Sequence, residues 1–420
     1  GQPPAPPATP PPGLCASLPA ADSPPARLRR LSKLELEHTV ADLLGSTAVA
    51  AVSAVEADTR ALGYSTGDER GVTDGYVDRL RGVAEALAAE ARKGLTPTAI
   101  EKLGTGCLAS DGNARACAGS FLVDFGRRAY RRPVADDERT LLLEVYDAGR
   151  ALGTDAGSRF ATGLEWATRA ILQSPHFFFR SELGAPGATG ATVTLTAYEI
   201  ASSLSYAVIA SPPDATLLAS AERGALATAE GRIAEAQRLM SARPERFRSQ
   251  LQRFLQEWLQ IDFENPEWAK STTEYPFFAE AVKAGLRTEA DMFFGDWAAQ
   301  PTLTTLLTSS ESFVGPANAV VHGVAAAGSI MTKTRLDPGR RAGALTLPAF
   351  LGSHAHSDSS SPTLRGAAIV KQLICGELPP VPAVVPPLPA ADGSTVKTTR
   401  QRFQQHVASP FCASCHEVFD

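Results

Sequence analysis

Helix-start signals recur along the whole chain while alternating strand patterns are scarce, and this commits the sequence to a mainly α, multi-helical fold. Ser32-Lys33-Leu34-Glu35 has the form of a capping box, with Leu31 and Leu36 placed as its hydrophobic staple, and it predicts a helix running to about Leu44 before Gly45. Thr73 to Arg92 puts Tyr76, Leu80, Val83 and Leu87 on one helical face. Arg115 to Arg131 reads as a helix stopped by Pro133, and Asp136-Asp137-Glu138 supplies acidic first-turn residues for the next one. Ser158 to Gln173 reads as a helix that ends before Pro175.

A second capping box, Thr196-Ala197-Tyr198-Glu199, opens a helix through Ile200 and Leu204, and further helices are expected at about Ala229 to Ser241, Pro244 to Leu259, Phe277 to Ala298 and Thr363 to Leu373. Gly184 to Ala191 holds three glycines among small residues and serves as the expected domain boundary. The organisation that follows is a Pro/Ala-rich tail over 1–26, an N-terminal helical domain over 27–184 and a central helical domain over 194–308. A Gly/Ala/Ser-rich stretch with a Pro-rich spacer fills 309–391, and a C-terminal arm occupies 392–420. Six prolines between Gly376 and Ala391 make that spacer stiff, and the arm opens on a short helix over about Lys397 to Val407.

Forty basic and forty-five acidic residues give a net charge of -5, with no basic cluster longer than a short run, which argues against nucleic acid as a partner. No stretch of about 18 apolar residues is present, so no transmembrane helix is expected. The Pro- and Ala-rich start reads as an extended tether on an exported protein.

The cysteines sharpen that reading. Cys412-Ala413-Ser414-Cys415-His416 has the c-type haem attachment pattern, in which two thiols add to the haem vinyl groups and the adjacent imidazole takes the iron. At helical spacing these three side chains share a face. A disulfide or half of a zinc site is the competing use of the same residues. Four cysteines remain, an even number that suits two bridges: Cys107 with Cys117 across a short Gly/Ala/Ser/Asn segment, and Cys15 with Cys375 by elimination. Four free buried thiols are the alternative.

Several motifs together resemble those of the multi-domain, cytochrome-like secreted proteins of planctomycetes and myxobacteria. Leu28-Arg29-Arg30-Leu31 leading to Asp42-Leu43-Leu44-Gly45 resembles their opening module, and Arg127 to Pro133 with Ser174-Pro175-His176-Phe177 the second. Leu195 to Tyr206, Pro213-Asp214 and Glu257-Trp258-Leu259 resemble the central module. Arg340-Arg341-Ala342-Gly343, His354-Ala355-His356, Ser361-Pro362, Arg365-Gly366 and Leu373-Ile374-Cys375 resemble, with CxxCH, the cytochrome-like one. The resemblance implies a related fold and haem attachment but no reaction. Gly315 and His322 depart from it, standing where Asn and Tyr are usual, and the chain ends at Asp420 where a further module is expected.

The expected cofactor is therefore one covalent haem c, held by Cys412, Cys415 and His416. His354 and His356 are the favoured sixth ligands of the iron, ahead of His322, His406 and Met331, and a site left open to water is the other option. HxH in an extended segment, with Asp358 beside it, also has the form of a hydrolytic metal site, and a hydrogen-bonding role is the plainer reading. The doubled arginines Arg127, Arg128, Arg131 and Arg132 are expected to complement a helix C-terminus, and Trp258, Trp268 and Trp297 to be core.

These readings converge on a periplasmic, cell-surface or secreted electron-transfer protein whose partner is a redox protein. A haem-dependent oxidoreductase on an extracellular substrate and a haem-free helical binding protein are the alternatives.

Overall fold

The computed structural model describes residues 27–378, apart from 62, 67–71, 105, 190 and 191, together with Ala413 and His416. The chain is mainly α, with short strands β1 (Arg27–Arg30), β2 (Thr59–Ala61), β3 (Tyr64–Thr66), β4 (Phe179–Glu182), β5 (Glu311–Val314) and β6 (Thr332–Arg335). The strands pair antiparallel as β1 with β4, β2 with β3 and β5 with β6. Two compact units are present, one of residues 1–58 and 67–238 and one of 59–66 and 239–420.

The first unit contains α1 (Lys33–Leu44), α2 (Asp74–Lys93), α3 (Pro97–Glu101), α4 (Asp111–Tyr130), α5 (Asp136–Arg150), α6 (Ala156–Gln173), α7 (Pro175–Phe178), α8 (Ala197–Ile209) and α9 (Ala215–Glu222). Both expected capping boxes form: Ser32 and Glu35 open α1, and Thr196 and Glu199 open α8. The face of α2 carrying Tyr76, Leu80, Val83 and Leu87 is buried, as its spacing requires.

Helix α5 packs on α6 so closely that a Cβ at Gly163 would stand 2.6 Å from the Tyr146 ring. Any larger residue there must push the helices apart. Around this contact Tyr146, Phe160, Leu164 and Ile171 are fully buried, each contributing roughly 1.5–3 kcal/mol of burial.

One expectation shifts here. Helix α4 starts four residues earlier than its apolar pattern, because the Ser110 hydroxyl accepts the Asn113 amide and caps it. Cys117 lies inside α4, as the expected helix from Arg115 already had it, and its disulfide to Cys107 ties the helix to the preceding turn.

Among the four arginines, Arg127 and Arg128 lie in the last turn of α4 as expected, but Arg131 does not play the dipole role. It adopts a left-handed conformation at φ 60°, which turns the side chain into the core. There it donates to four main-chain carbonyls, those of Ala129, His176, Phe177 and Phe179, at 2.6–3.2 Å.

Helix α10 (Ala229–Ala242) runs from the first unit's sequence into the second's. The second unit contains α11 (Pro244–Trp258), α12 (Glu280–Trp297), α13 (Leu303–Thr308), α14 (Ala319–His322), α15 (Pro348–Ser353) and α16 (Pro362–Gln372). Its core joins α11, α12, α15 and α16 through Leu255, Trp268, Leu286, Phe294, Phe350 and Ala368.

The Gly/Ala/Ser-rich stretch that gave no clear pattern folds as the β5–β6 pair with two short helices, α14 and α15, set by tertiary contacts rather than propensity. Helix α12 starts at Glu280 instead of Phe277, because Pro276 precedes a turn that leaves Phe277 and Phe278 outside the helix. The Pro-rich spacer and the helix expected over Lys397 to Val407 lie outside the described residues.

Candidate functional site

Of the three residues expected to attach haem, His416 is described: it is helical and half-buried, as is Ala413 three residues before it. Cys412 and Cys415 lie outside the described residues, as does Cys15. Cys375, expected to pair with Cys15, carries a free and exposed thiol.

The two histidines of the HxH segment part company, because the chain is not extended there. His354 follows the last residue of α15, and residues 355–360 close a tight loop through an Ala355–Ser360 bridge and the His356 amide donating to Ser359. The His354 ring is buried against Phe350, its Nε2 donates to the Leu259 carbonyl at 2.9 Å, and burial holds its pKa below the usual value. His356 is exposed. No three His, Cys, Asp or Glu side chains gather as a metal cage among the described residues, so the hydrolytic reading of this segment lacks a further ligand.

His356 instead lies on the wall of a cavity of about 320 Å³ within the second unit. Its floor is aromatic and apolar. Trp268 is 2 % exposed, Phe278 and Leu351 are half-buried, and Tyr275 and Phe277 stand in the turn before α12. Gly352 permits this floor, since a Cβ there would come within 2.6 Å of the Trp268 ring.

Three cations complete the lining: Lys270, Arg341 and Arg365. Lys270 donates to the Gly352, Ala355 and His356 carbonyls and lies 5.7 Å over the Trp268 ring. Arg365, the fourth residue of α16, donates to Ser360 Oγ at 3.1 Å. Burial lowers the pKa of all three, by desolvation above any other cause. None has a carboxylate within ion-pair distance among the described residues, and Glu267, near Lys270, accepts the Ser357 amide at 2.6 Å.

A larger cavity, of about 580 Å³, lies in the first unit beside Phe121 and Phe125, but its charges are already matched. There Arg92 pairs with Glu165, Lys93 with Glu90, and Arg128 with Asp124.

Behind Arg341 lies a polar cluster that the sequence did not reveal. The Glu289 carboxylate, 1 % exposed, accepts from Ser312 Oγ at 2.5 Å, Asn318 Nδ2 at 2.8 Å and His322 Nε2 at 3.0 Å, and Arg341 Nε faces His322 Nδ1 at 3.5 Å. Three donors on one carboxylate satisfy a buried charge that would otherwise be costly. His322 is thereby committed to a buried pair.

Four family models match the chain in series. They are PSD3 (DUF1587) over 29–93, PSD5 (DUF1595) over 117–182, PSD4 (DUF1592) over 195–324 and PSCyt3 (DUF1588) over 341–420, each described as a protein of unknown function. No curated protein and no solved structure matches the chain.

The order is that of the four modules read from the sequence, and the Gly184–Ala191 segment falls between the PSD5 and PSD4 matches while the first unit runs on to Arg238. The cavity draws Trp268, Lys270, Tyr275 and Phe277 from the PSD4 segment and Arg341, His356 and Arg365 from the PSCyt3 segment, which also holds Cys412 to His416. The sequence marked the second group as motifs. It carried no signal for Lys270 or Phe277, whose role depends on the turn before α12.

Proposed function

We propose that this is an exported c-type cytochrome-like protein that transfers electrons through one covalently attached haem. The observation that carries the reading is the Cys412–His416 motif, seated in a segment matched by the PSCyt3 family, with Ala413 and His416 both helical. At helical spacing the i, i+3 and i+4 positions of this motif would share one face, which suits the two vinyl groups and the iron of a single haem.

When bound, such a group supplies a one-electron couple. The chain's part would be to hold it: the Cys412 and Cys415 thiols would attach the vinyl groups as thioethers, and the His416 imidazole would supply a nitrogen ligand to the iron. His356, exposed and with no ring hydrogen bond among the described residues, is the better of the two expected sixth ligands, since the Nε2 of His354 is committed to Leu259. A redox protein is the proposed partner, and the periplasm or cell surface the proposed location. The apolar cavity beside His356 favours a substrate-handling haem protein as the second reading.

The test is an absorption spectrum and intact mass of the chain exported in a host with c-haem maturation, beside a Cys412→Ala, Cys415→Ala variant. One covalent haem with the cysteines present and none without them is the expected result. Folded protein with no covalent haem in either form would sink the reading. With haem in place, His356→Ala should perturb a low-spin spectrum that His354→Ala leaves alone.

A further inference from the structure

We infer that the cavity between Trp268 and Arg365 is a binding site for a carboxylate carried on a flat, apolar body. The floor and the rim ask for different chemistry, and one class of molecule supplies both. Trp268, Tyr275, Phe277 and Phe278 offer ring faces and edges to a flat hydrocarbon body. Lys270, Arg341 and Arg365 sit on the same lining, half-buried, with no acid paired to any of them among the described residues.

Glu267 and Glu289 act on Lys270 and Arg341 only from beyond ion-pair distance, and desolvation remains the largest influence on all three cations, so a carboxylate arriving on this wall would gain direct partners. The larger cavity of the first unit makes the contrast, since each of its cations has its own carboxylate. At about 320 Å³ the volume sits at the small end of ligand pockets, roughly 300–1,000 Å³, so it suits one small ring system or one edge of a larger one.

A guanidinium presents a planar fork that matches a carboxylate with two parallel hydrogen bonds, and Arg365 has one hydroxyl partner, Ser360. It is therefore assigned the main contact, with Lys270 as a point charge above Trp268. Arg341 also faces the buried Glu289–His322 pair, so it is left intact in the test.

Two sources could present this chemistry: a free aromatic carboxylate, or the propionate edge of a haem carried by the chain itself. The second rests on the haem reading, whereas the site does not. The probe is 2-naphthoate, titrated calorimetrically into the haem-free Cys412→Ala, Cys415→Ala chain, with 2-naphthamide as the uncharged comparator.

Saturable one-to-one binding of the acid, at least tenfold tighter than the amide, is expected. Arg365→Gln should weaken it by about tenfold at an unchanged urea midpoint, whereas Lys270→Gln, which also gives up its bonds to the Gly352, Ala355 and His356 carbonyls, should weaken it together with a lower midpoint. Arg127→Gln, in the first unit, should change nothing. No binding of the acid, equal binding of the amide, or less than a twofold effect of Arg365→Gln would overturn the assignment.

The source is then settled on haem-loaded chain. Naphthoate affinity reduced more than tenfold by the attached haem identifies the propionate edge as occupant, and unchanged affinity identifies a free carboxylate. Should no haem attach at all, the cytochrome reading fails while the titration still decides the site.

Discussion

Replacing Arg131 with Met removes a cation that the fold has buried as a hub of main-chain contacts. Its guanidinium donates to the carbonyls of Ala129, His176, Phe177 and Phe179, and burial lowers its pKa from the usual value. Each buried carbonyl left without a donor costs about 1–3 kcal/mol, so four would cost roughly 4–12 kcal/mol with no compensation. Against this stands the relief of a desolvated charge, several kcal/mol per ion.

The difference is a net destabilisation of about 3–5 kcal/mol, the range for removing one member of a buried charged network. Met fills similar volume, so the loss is one of hydrogen bonding rather than of a cavity. With a urea slope of about 2–3 kcal/mol/M, the first unit's transition should move down by roughly 1–2 M. The assay is urea unfolding of the full chain followed by far-UV circular dichroism, with Arg127→Ala as control, since its exposed pair with Glu222 is worth at most about 1 kcal/mol. Arg131→Lys should fall between, because an ammonium keeps the charge but lacks the fork that bridges the Ala129 carbonyl and those of residues 176–179. A shift for Arg131→Met no larger than the control would refute the reasoning and show that the four carbonyls find other donors.

Other outcomes follow from the same structure. Reducing the Cys107–Cys117 bridge, or replacing both cysteines with Ala, frees a loop of ten-residue separation and should cost about 2.5–3 kcal/mol by loop entropy, read as a lower urea midpoint at constant slope. His354 has its pKa lowered by burial, so the folded state resists its protonation. Its contribution is whole above the unfolded value near 6.5 and is lost as pH falls through the lowered folded value. The urea midpoint of the wild type should therefore drop between pH 7.5 and 5.5 more steeply than that of His354→Gln, and parallel slopes would contradict this. Glu289→Gln keeps the shape but turns one acceptor oxygen into a donor facing Ser312, Asn318 or His322, and should cost about 2–4 kcal/mol in thermal or urea unfolding.

Several parts of this protein were legible without tertiary information. The two capping boxes, the Thr73 start of α2 and the proline stops are local signals, and each marks its helix because the groups that satisfy a helix end lie within a few residues of it. The CxxCH motif is equally local, since its chemistry needs only three residues at helical spacing. The Cys107–Cys117 bridge joins residues close enough in sequence to be read as a loop.

What the sequence could not supply depends on contacts over long separation. It treated His354 and His356 as one pair, and only the turn after α15 buries one ring under Leu259 and leaves the other on the cavity wall. It put Arg131 at a helix end with its neighbours, whereas a left-handed residue sends it inward to carbonyls more than 40 residues away. It had no means to place Lys270 beside Arg365, nor to find the Glu289–His322 pair. The sequence alone determined the helices and the Cys107–Cys117 loop, because propensity, capping and covalent spacing are short-range. The cavity, its cations and the buried charges were decided by tertiary structure, because burial and electrostatics act on whatever the fold brings together.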